Sequence, residues 1–195
     1  MTEKIICAGA GGQGVMAMGK ILALSALREG KHVTWLPSYG PEVRGGTAHC
    51  MVVISDGEIS SPFVEKADTL IIMNEPSLKR FKNAIRNKGF LLVNSSLAHC
   101  KATSRRLDVM NVPMTEMAVK LGSDKVANTV AIGAYLAKRK IISFGTMREA
   151  IQEVLAYRES LIAVNLRALE EGYFSAQKAC LALPAGRQAA GRESV

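Results

Sequence analysis

Two short stretches carry the residue types best suited to chemistry: Gly9-Ala-Gly-Gly-Gln-Gly14 and Ser38-Tyr-Gly-Pro-Glu-Val-Arg-Gly-Gly46. The first satisfies the spacing G-x-G-x-x-G. Glycines permit a tight turn and let a ligand approach the backbone, and a helix that follows offers unpaired N–H groups and about half a positive charge to an anion. Gly9, Gly11, Gly12, Gln13 and Gly14 are therefore candidate contacts for a phosphate-bearing cofactor. The same loop would also serve as a tight turn for packing, or as a subunit-docking surface. The second stretch adds Tyr39, with a stacking face and a hydroxyl, and Arg44, whose guanidinium suits bidentate contact with phosphate or carboxylate. Arg44 could equally brace its own loop against Glu42, and Gly45-Gly46 could be a hinge or a place where another chain approaches.

These loops need elements to position them. Residues 4–8 (KIICA) form a short apolar run, expected to be a buried strand. Val15, Met18, Leu22 and Ala26 recur at helical spacing until Gly30, and residues 32–36 read as a second strand. Strand, glycine turn, helix and strand predict a parallel, right-handed βαβ unit. The loop 37–47 then follows a strand end, and in an open parallel sheet such loops share one rim, where ligands bind. Residues 48–55 are a β-rich run, and Asp56-Gly57 offers hairpin chemistry with Glu58–Ser60 returning. Further strands are expected at 68–74, 90–94 and 107–112. Helices are expected from about Pro76 to Asn87 with Gly89 closing, at 114–121, at 125–138 (Val126, Val130, Gly133 and Ala137 on one face), and at 146–171, ending at Gly172. The alternation predicts an α/β fold: a Rossmann-like, mainly parallel sheet with flanking helices and a β-hairpin embellishment. Residues 1–182 are expected to form a single domain and 183–195 a disordered tail.

A dinucleotide site would also want an acidic residue at the end of the second strand, and here that strand ends Trp35-Leu36-Pro37-Ser38. Cys50, in the apolar run His-Cys-Met-Val-Val-Ile, reads as core, as free cysteines usually are. His99 and Cys100 are adjacent and point apart in extended chain, so no dyad is expected. Asn74 and Asn128 read as loop or cap residues. No residue is singled out as catalytic.

The chain has 195 residues with 48% apolar and 22% charged side chains, enough to bury a core without disulfide or metal, which excludes disorder and coiled coil. The four cysteines, Cys7, Cys50, Cys100 and Cys180, lie more than 40 residues apart, which fits no zinc site, cluster-ligand run or disulfide framework. The net charge is +8. Its basic groups (Lys79-Arg80-Lys82, Arg105-Arg106, Lys138-Arg139-Lys140) interleave with a single aromatic, Phe81, and read as solvated surface rather than a nucleic-acid face. Residues 5–27 imitate a signal peptide or membrane span, but glycines, Gln13 and Lys20 interrupt them, so a cytoplasmic protein is expected.

Taken together, the two loops resemble the gamma subunit of 2-oxoacid:ferredoxin oxidoreductases. Further matches are Ser61-Pro62, Ala67-Asp-Thr-Leu-Ile-Ile-Met-Asn74 and Ala127-Asn128, in order between about Ile5 and Gly172. The Ser-Tyr-Gly-Pro-Glu form followed by Arg-Gly-Gly-Thr-Ala is most similar to the 2-oxoglutarate branch. The resemblance implies a non-redox subunit, inactive alone, of a complex that decarboxylates 2-oxoglutarate oxidatively to succinyl-CoA and reduces ferredoxin. It implies that thiamine diphosphate and iron–sulfur clusters sit on partner alpha, beta and possible delta subunits, and that this chain contacts coenzyme A. Ser55-Asp56-Gly57 lacks the leading glycine of a thiamine signature, and no cysteine run is present for a cluster. The alternatives are an indolepyruvate- or pyruvate-type subunit, a stand-alone NAD(P)-binding Rossmann protein, and a nucleotide- or anion-binding regulator. Isolated, the chain is expected to form a homodimer.

Overall fold

The computed structural model describes residues 1–38, 47–100 and 107–182. Among the described residues six strands form one sheet in the order β2-β3-β1-β4-β5-β6: β1 Thr2–Ala10, β2 His32–Ser38, β3 Thr47–Ser55, β4 Ala67–Ile72, β5 Ile85–Asn94 and β6 Asp108–Val112. β1, β4, β5 and β6 pair in parallel, and β3 is antiparallel to both β1 and β2. The sheet is therefore mixed and mostly parallel, flanked by helices, as an α/β fold of Rossmann-like arrangement.

The helices are α1 Val15–Arg28, α2 Glu75–Phe81, α3 Met114–Lys120, α4 Ala127–Lys138, α5 Phe144–Val154 and α6 Ile162–Ala182. The two faces of the sheet are covered unequally. Cys7, Cys50, Val52, Ile71, Phe90 and Leu92 face a large core completed by α1, α3, α4, α5 and α6. Ile6, Ala8, Met51, Val53, Leu70 and Leu91 face a smaller one closed by Leu78 and Phe81 of α2 together with Val64, Ile85 and Ala98. The alternation of neighbouring residues between the two cores is the period of a strand buried on both faces.

Four sequence expectations are corrected. β1 and β2 do run in the same direction, but they are not neighbours, because β3 is inserted between them. Asp56-Gly57 turns the chain without a returning strand. Both edges of β3 are already occupied, by β1 and β2, so Glu58–Ser60 has no edge to pair with. α2 ends at Phe81, not Asn87, because Ile85 already pairs with Ala67 as the start of β5. α6 runs through Gly172 to Ala182: the missing side chain there makes room for the Val130 carbonyl of α4, and Gly133 does the same for the Leu169 carbonyl. These glycines let α4 and α6 pack backbone to backbone and do not stop a helix. Residues 183–195 lie outside the described residues.

Candidate functional site

The carboxyl ends of β1, β2, β4, β5 and β6 meet the amino end of β3 along one rim, and the glycine loop leaves β1 there. β1 is followed by α1 on one face of the sheet and β4 by α2 on the other. The loop thus stands where the chain departs in two directions, the place where open α/β sheets bind ligands.

Its conformation follows from residue type. Gly12 and Gly14 have φ of 88° and 69°, in the left-handed region that glycine adopts without strain. Gly14 is also the N-cap of α1. It supplies no side-chain cap, and the first turn carries no acidic residue, so the helix amino end is not neutralised by its own side chains. Gly9 is buried, and a Cβ there would stand 2.8–2.9 Å from Gln13, Met73 and Val15. Gly11 and Gly12 are exposed, and a Cβ on Gly12 would meet nothing within 4 Å among the described residues. The loop therefore has an inward half that packs and an outward half that presents bare backbone.

Gln13 is bound within the loop. Its Oε1 accepts from the Ala10 N–H at 2.7 Å and its Nε2 donates to the Met73 carbonyl at 3.4 Å. Asn128, at the start of α4, donates from Nδ2 to the Gly14 carbonyl at 3.2 Å. Asn94, at the end of β5, donates to the same Met73 carbonyl at 3.2 Å and to Thr115 Oγ1 at 2.8 Å, while its Oδ1 accepts from the Thr115 N–H at 3.3 Å. Asn74 caps α2 by accepting from the Ser77 N–H at 3.0 Å. Carboxamides thus tie the ends of β1, β4 and β5 to the starts of α1, α3 and α4. Asn94 was not singled out from the sequence. Its signal was a buried amide closing an apolar strand, and such a group must find partners.

The structure thus brings Gly9, Gly11, Gly12, Gln13 and Gly14 together with Asn128. Tyr39, Glu42 and Arg44 lie outside the described residues. The flanks of their loop are placed: Ser38 pairs with His49, and Thr47 pairs with Ala10 of the glycine loop. His49 meets Phe81 at a tilt of 49°, with ring centroids 4.8 Å apart, and Arg80 donates to Thr47 Oγ1 at 2.5 Å. The end of β2 stands two strand spacings from β1, roughly 10 Å, with β3 between, so an acid there would be remote from the glycine loop. Among the described residues no group of three or more His, Cys, Asp or Glu could hold a metal ion, and no helix is long and apolar enough to cross a membrane.

Residues 4–174 match the family model described as pyruvate ferredoxin/flavodoxin oxidoreductase. The ketoisovalerate oxidoreductase subunit VorA of Methanothermobacter thermautotrophicus is 42% identical over 170 residues, covering 87% of this chain and 35% of that one. This chain therefore spans about a third of that relative. The 2-oxoglutarate synthase subunit KorC of Methanocaldococcus jannaschii is 34% identical, covering 89% of this chain and 93% of that one. A keto/oxoacid ferredoxin oxidoreductase gamma subunit from Geobacter sulfurreducens has the same fold, with a TM-score of 0.78, 29% identity and coverage of 90% and 99%.

Proposed function

Because the chain belongs to the pyruvate ferredoxin/flavodoxin oxidoreductase family as a gamma-subunit-like member, we propose that it is the non-redox subunit of a 2-oxoacid:ferredoxin oxidoreductase and helps to seat coenzyme A. The observation that carries this reading is the glycine loop itself: outward backbone at Gly11 and Gly12, beside a helix amino end with no acidic residue in its first turn. Such a surface binds an anion by its N–H groups. Thiamine diphosphate and iron–sulfur clusters, on alpha and beta and possible delta partners, would supply the carbanion and electron-transfer chemistry. Gly11, Gly12 and Gly14 would meet the pyrophosphate of coenzyme A. Gln13, bound to Ala10 and Met73, holds those amides in place. Tyr39 and Arg44, between β2 and β3 in sequence, are proposed as stacking and charged contacts.

The Ser38–Gly46 sequence favours 2-oxoglutarate as the acyl substrate, with succinyl-CoA as product. The 42% identity to a ketoisovalerate subunit favours a branched-chain 2-oxoacid instead. One experiment addresses the complex and its substrate: native co-purification with this chain as bait, followed by viologen reduction with each 2-oxoacid, with and without coenzyme A. The expected outcome is co-purifying iron–sulfur chains and coenzyme-A-dependent reduction with one of the two acids. A colourless chain isolated alone from its native lysate would overturn the subunit reading, and NADH binding would then be tested.

A further inference from the structure

Cys7 and Cys50, 43 positions apart in sequence, are direct cross-strand partners in the β1–β3 ladder. Directly opposed residues of an antiparallel pair have Cα atoms about 4.5 to 5.5 Å apart, inside the range a disulfide spans. Both side chains face the larger core, and both residues are fully buried as free thiols.

The surroundings are unequal. The Cys50 thiol donates to the Val15 carbonyl at 3.4 Å, and its sulfur and the Trp35 indole nitrogen both lie against Gly19. Gly19 is required for this approach, because any Cβ there would run into the Cys50 sulfur and the Trp35 ring nitrogen. The neighbouring Cys7 thiol favours the thiolate at Cys50 and lowers its pKa, whereas Cys7 is pushed up by Cys50 and by burial.

We propose that Cys7 and Cys50 form a reversible disulfide, a redox modification site directly beneath the glycine loop. The oxidant is a small disulfide, RSSR. The Cys50 thiolate attacks one sulfur of RSSR, expelling RS− and forming Cys50–S–SR. Cys7 then loses its proton, attacks the Cys50 sulfur and expels the second RS−. Two thiol protons leave with the two RS− groups, so one RSSR is reduced to two RSH as the intrachain disulfide forms. Both sulfurs are buried, so the reaction waits on local opening of α1 from β3 and is slower than reaction at the partly exposed Cys100 and Cys180. The linked Cys50 sulfur has no proton for the Val15 carbonyl. Val15 opens α1, and Cys7 lies two residues before Gly9, so the link bears on both flanks of the glycine loop.

The test treats the full-length protein with cystamine, alkylates remaining thiols after denaturation, and maps the peptides. A Cys100→Ser/Cys180→Ser variant, altered only at the two less buried positions, isolates the pair. The expected result is loss of both remaining thiols, a peptide linking Cys7 to Cys50, a change in the emission of Trp35 (the single tryptophan), and reversal of all three by dithiothreitol. Two results overturn the proposal: Cys7 and Cys50 still alkylatable after Cys100 and Cys180 are fully converted in the wild type, or Cys50 carrying cysteamine with no link to Cys7. If the double variant does not fold, wild-type peptide mapping decides by the same criteria.

Discussion

The two ends of the sheet are built from opposite materials. At the rim, the glycine loop is held by uncharged amides: Gln13 to Ala10 and Met73, Asn94 to Met73 and Thr115, Asn128 to Gly14. At the base, charged groups converge. Glu3 is only 4% exposed; it accepts from Thr69 Oγ1 at 2.5 Å and pairs with Arg139 Nε at 3.2 Å. Asp68 accepts from the Lys4 N–H at 2.7 Å and pairs with Arg86, and Arg139 also donates to the Asp68 carbonyl at 3.0 Å. Burial raises the Glu3 carboxyl above its ordinary range, although Thr69 and Arg139 pull it down. Perturbed titratable groups often mark a functional site, but structural ion networks perturb them too. Here the perturbed carboxylate fastens β1, β4 and the end of α4, while the end suited to a ligand is neutral backbone.

Removing the cation at the base gives the largest expected effect. Arg139→Met leaves Glu3 buried without its charge partner, and we expect a loss of about 2 to 3 kcal/mol at neutral pH, below the value for a fully buried pair because Arg139 is partly solvated. The sign with pH follows from Glu3. A carboxyl with a raised folded pKa binds protons more tightly when folded, so its contribution to stability falls as pH rises above the ordinary value of 4.5. Without Arg139 that pKa climbs further. The deficit should therefore shrink on acidification toward pH 4.5, as measured by urea unfolding across pH. A deficit independent of pH would show that Arg139 acts by packing alone.

Rim variants should show the converse, a small effect on folding and a larger one on function. Gln13→Ala removes the 2.7 Å bond to Ala10 and should lower stability by about 1 kcal/mol. It should lower coenzyme-A-dependent turnover in the assembled complex by about tenfold, because 1.4 kcal/mol of misplaced binding is already that much. Gly12→Ala is the cleaner probe. Its Cβ meets nothing among the described residues, where the cost is the left-handed backbone, about 1 kcal/mol. A rise in the coenzyme A concentration needed for half-maximal rate, at preserved 2-oxoacid dependence, would place the ligand against the outward half of the loop. An unchanged coenzyme A dependence would leave the loop as a turn only.

The same contrast explains what could be read before folding. The glycine loop was legible because positive φ and close approach restrict residue type locally, and α1 because its apolar period is local too. The insertion of β3 between β1 and β2 was not, since a strand's period states which faces are buried and not which edge it joins. That single pairing also undid the hairpin reading of Asp56-Gly57, and it places Cys7 opposite Cys50, a neighbourhood their separation in sequence does not show. Gly172 misled for a related reason: a glycine that stops a helix and one that admits another helix look alike in sequence, and only the Val130 carbonyl distinguishes them. Asn128 reads as a loop or cap residue; it lies inside the first turn of α4, which has no side-chain cap, and its amide instead holds a loop 114 residues away.

The smallest expected effect tests whether the base is one electrostatic unit or two. Asp56 sits at the same end as Glu3 and shifts the other way, down to about 2, because the terminal ammonium of Met1 bonds its carboxylate and Lys31 adds a second bond and charge. A depressed folded pKa means that the contribution to stability is present above the ordinary 3.8 and is lost as pH falls from there through about 2. Glu3 and Asp56 therefore give opposite slopes, Glu3 above pH 4.5 and Asp56 below 3.8. Asp56 is exposed, so salt should screen its part first and leave that of Glu3 nearly intact. Carboxyl NMR titration should give an Asp56 midpoint near 2 at low salt, moving toward 3.8 in Lys31→Ala, with the Glu3 midpoint unmoved. If both midpoints move together, the groups couple through β1, and the base behaves as one network spanning β1, β3 and β4.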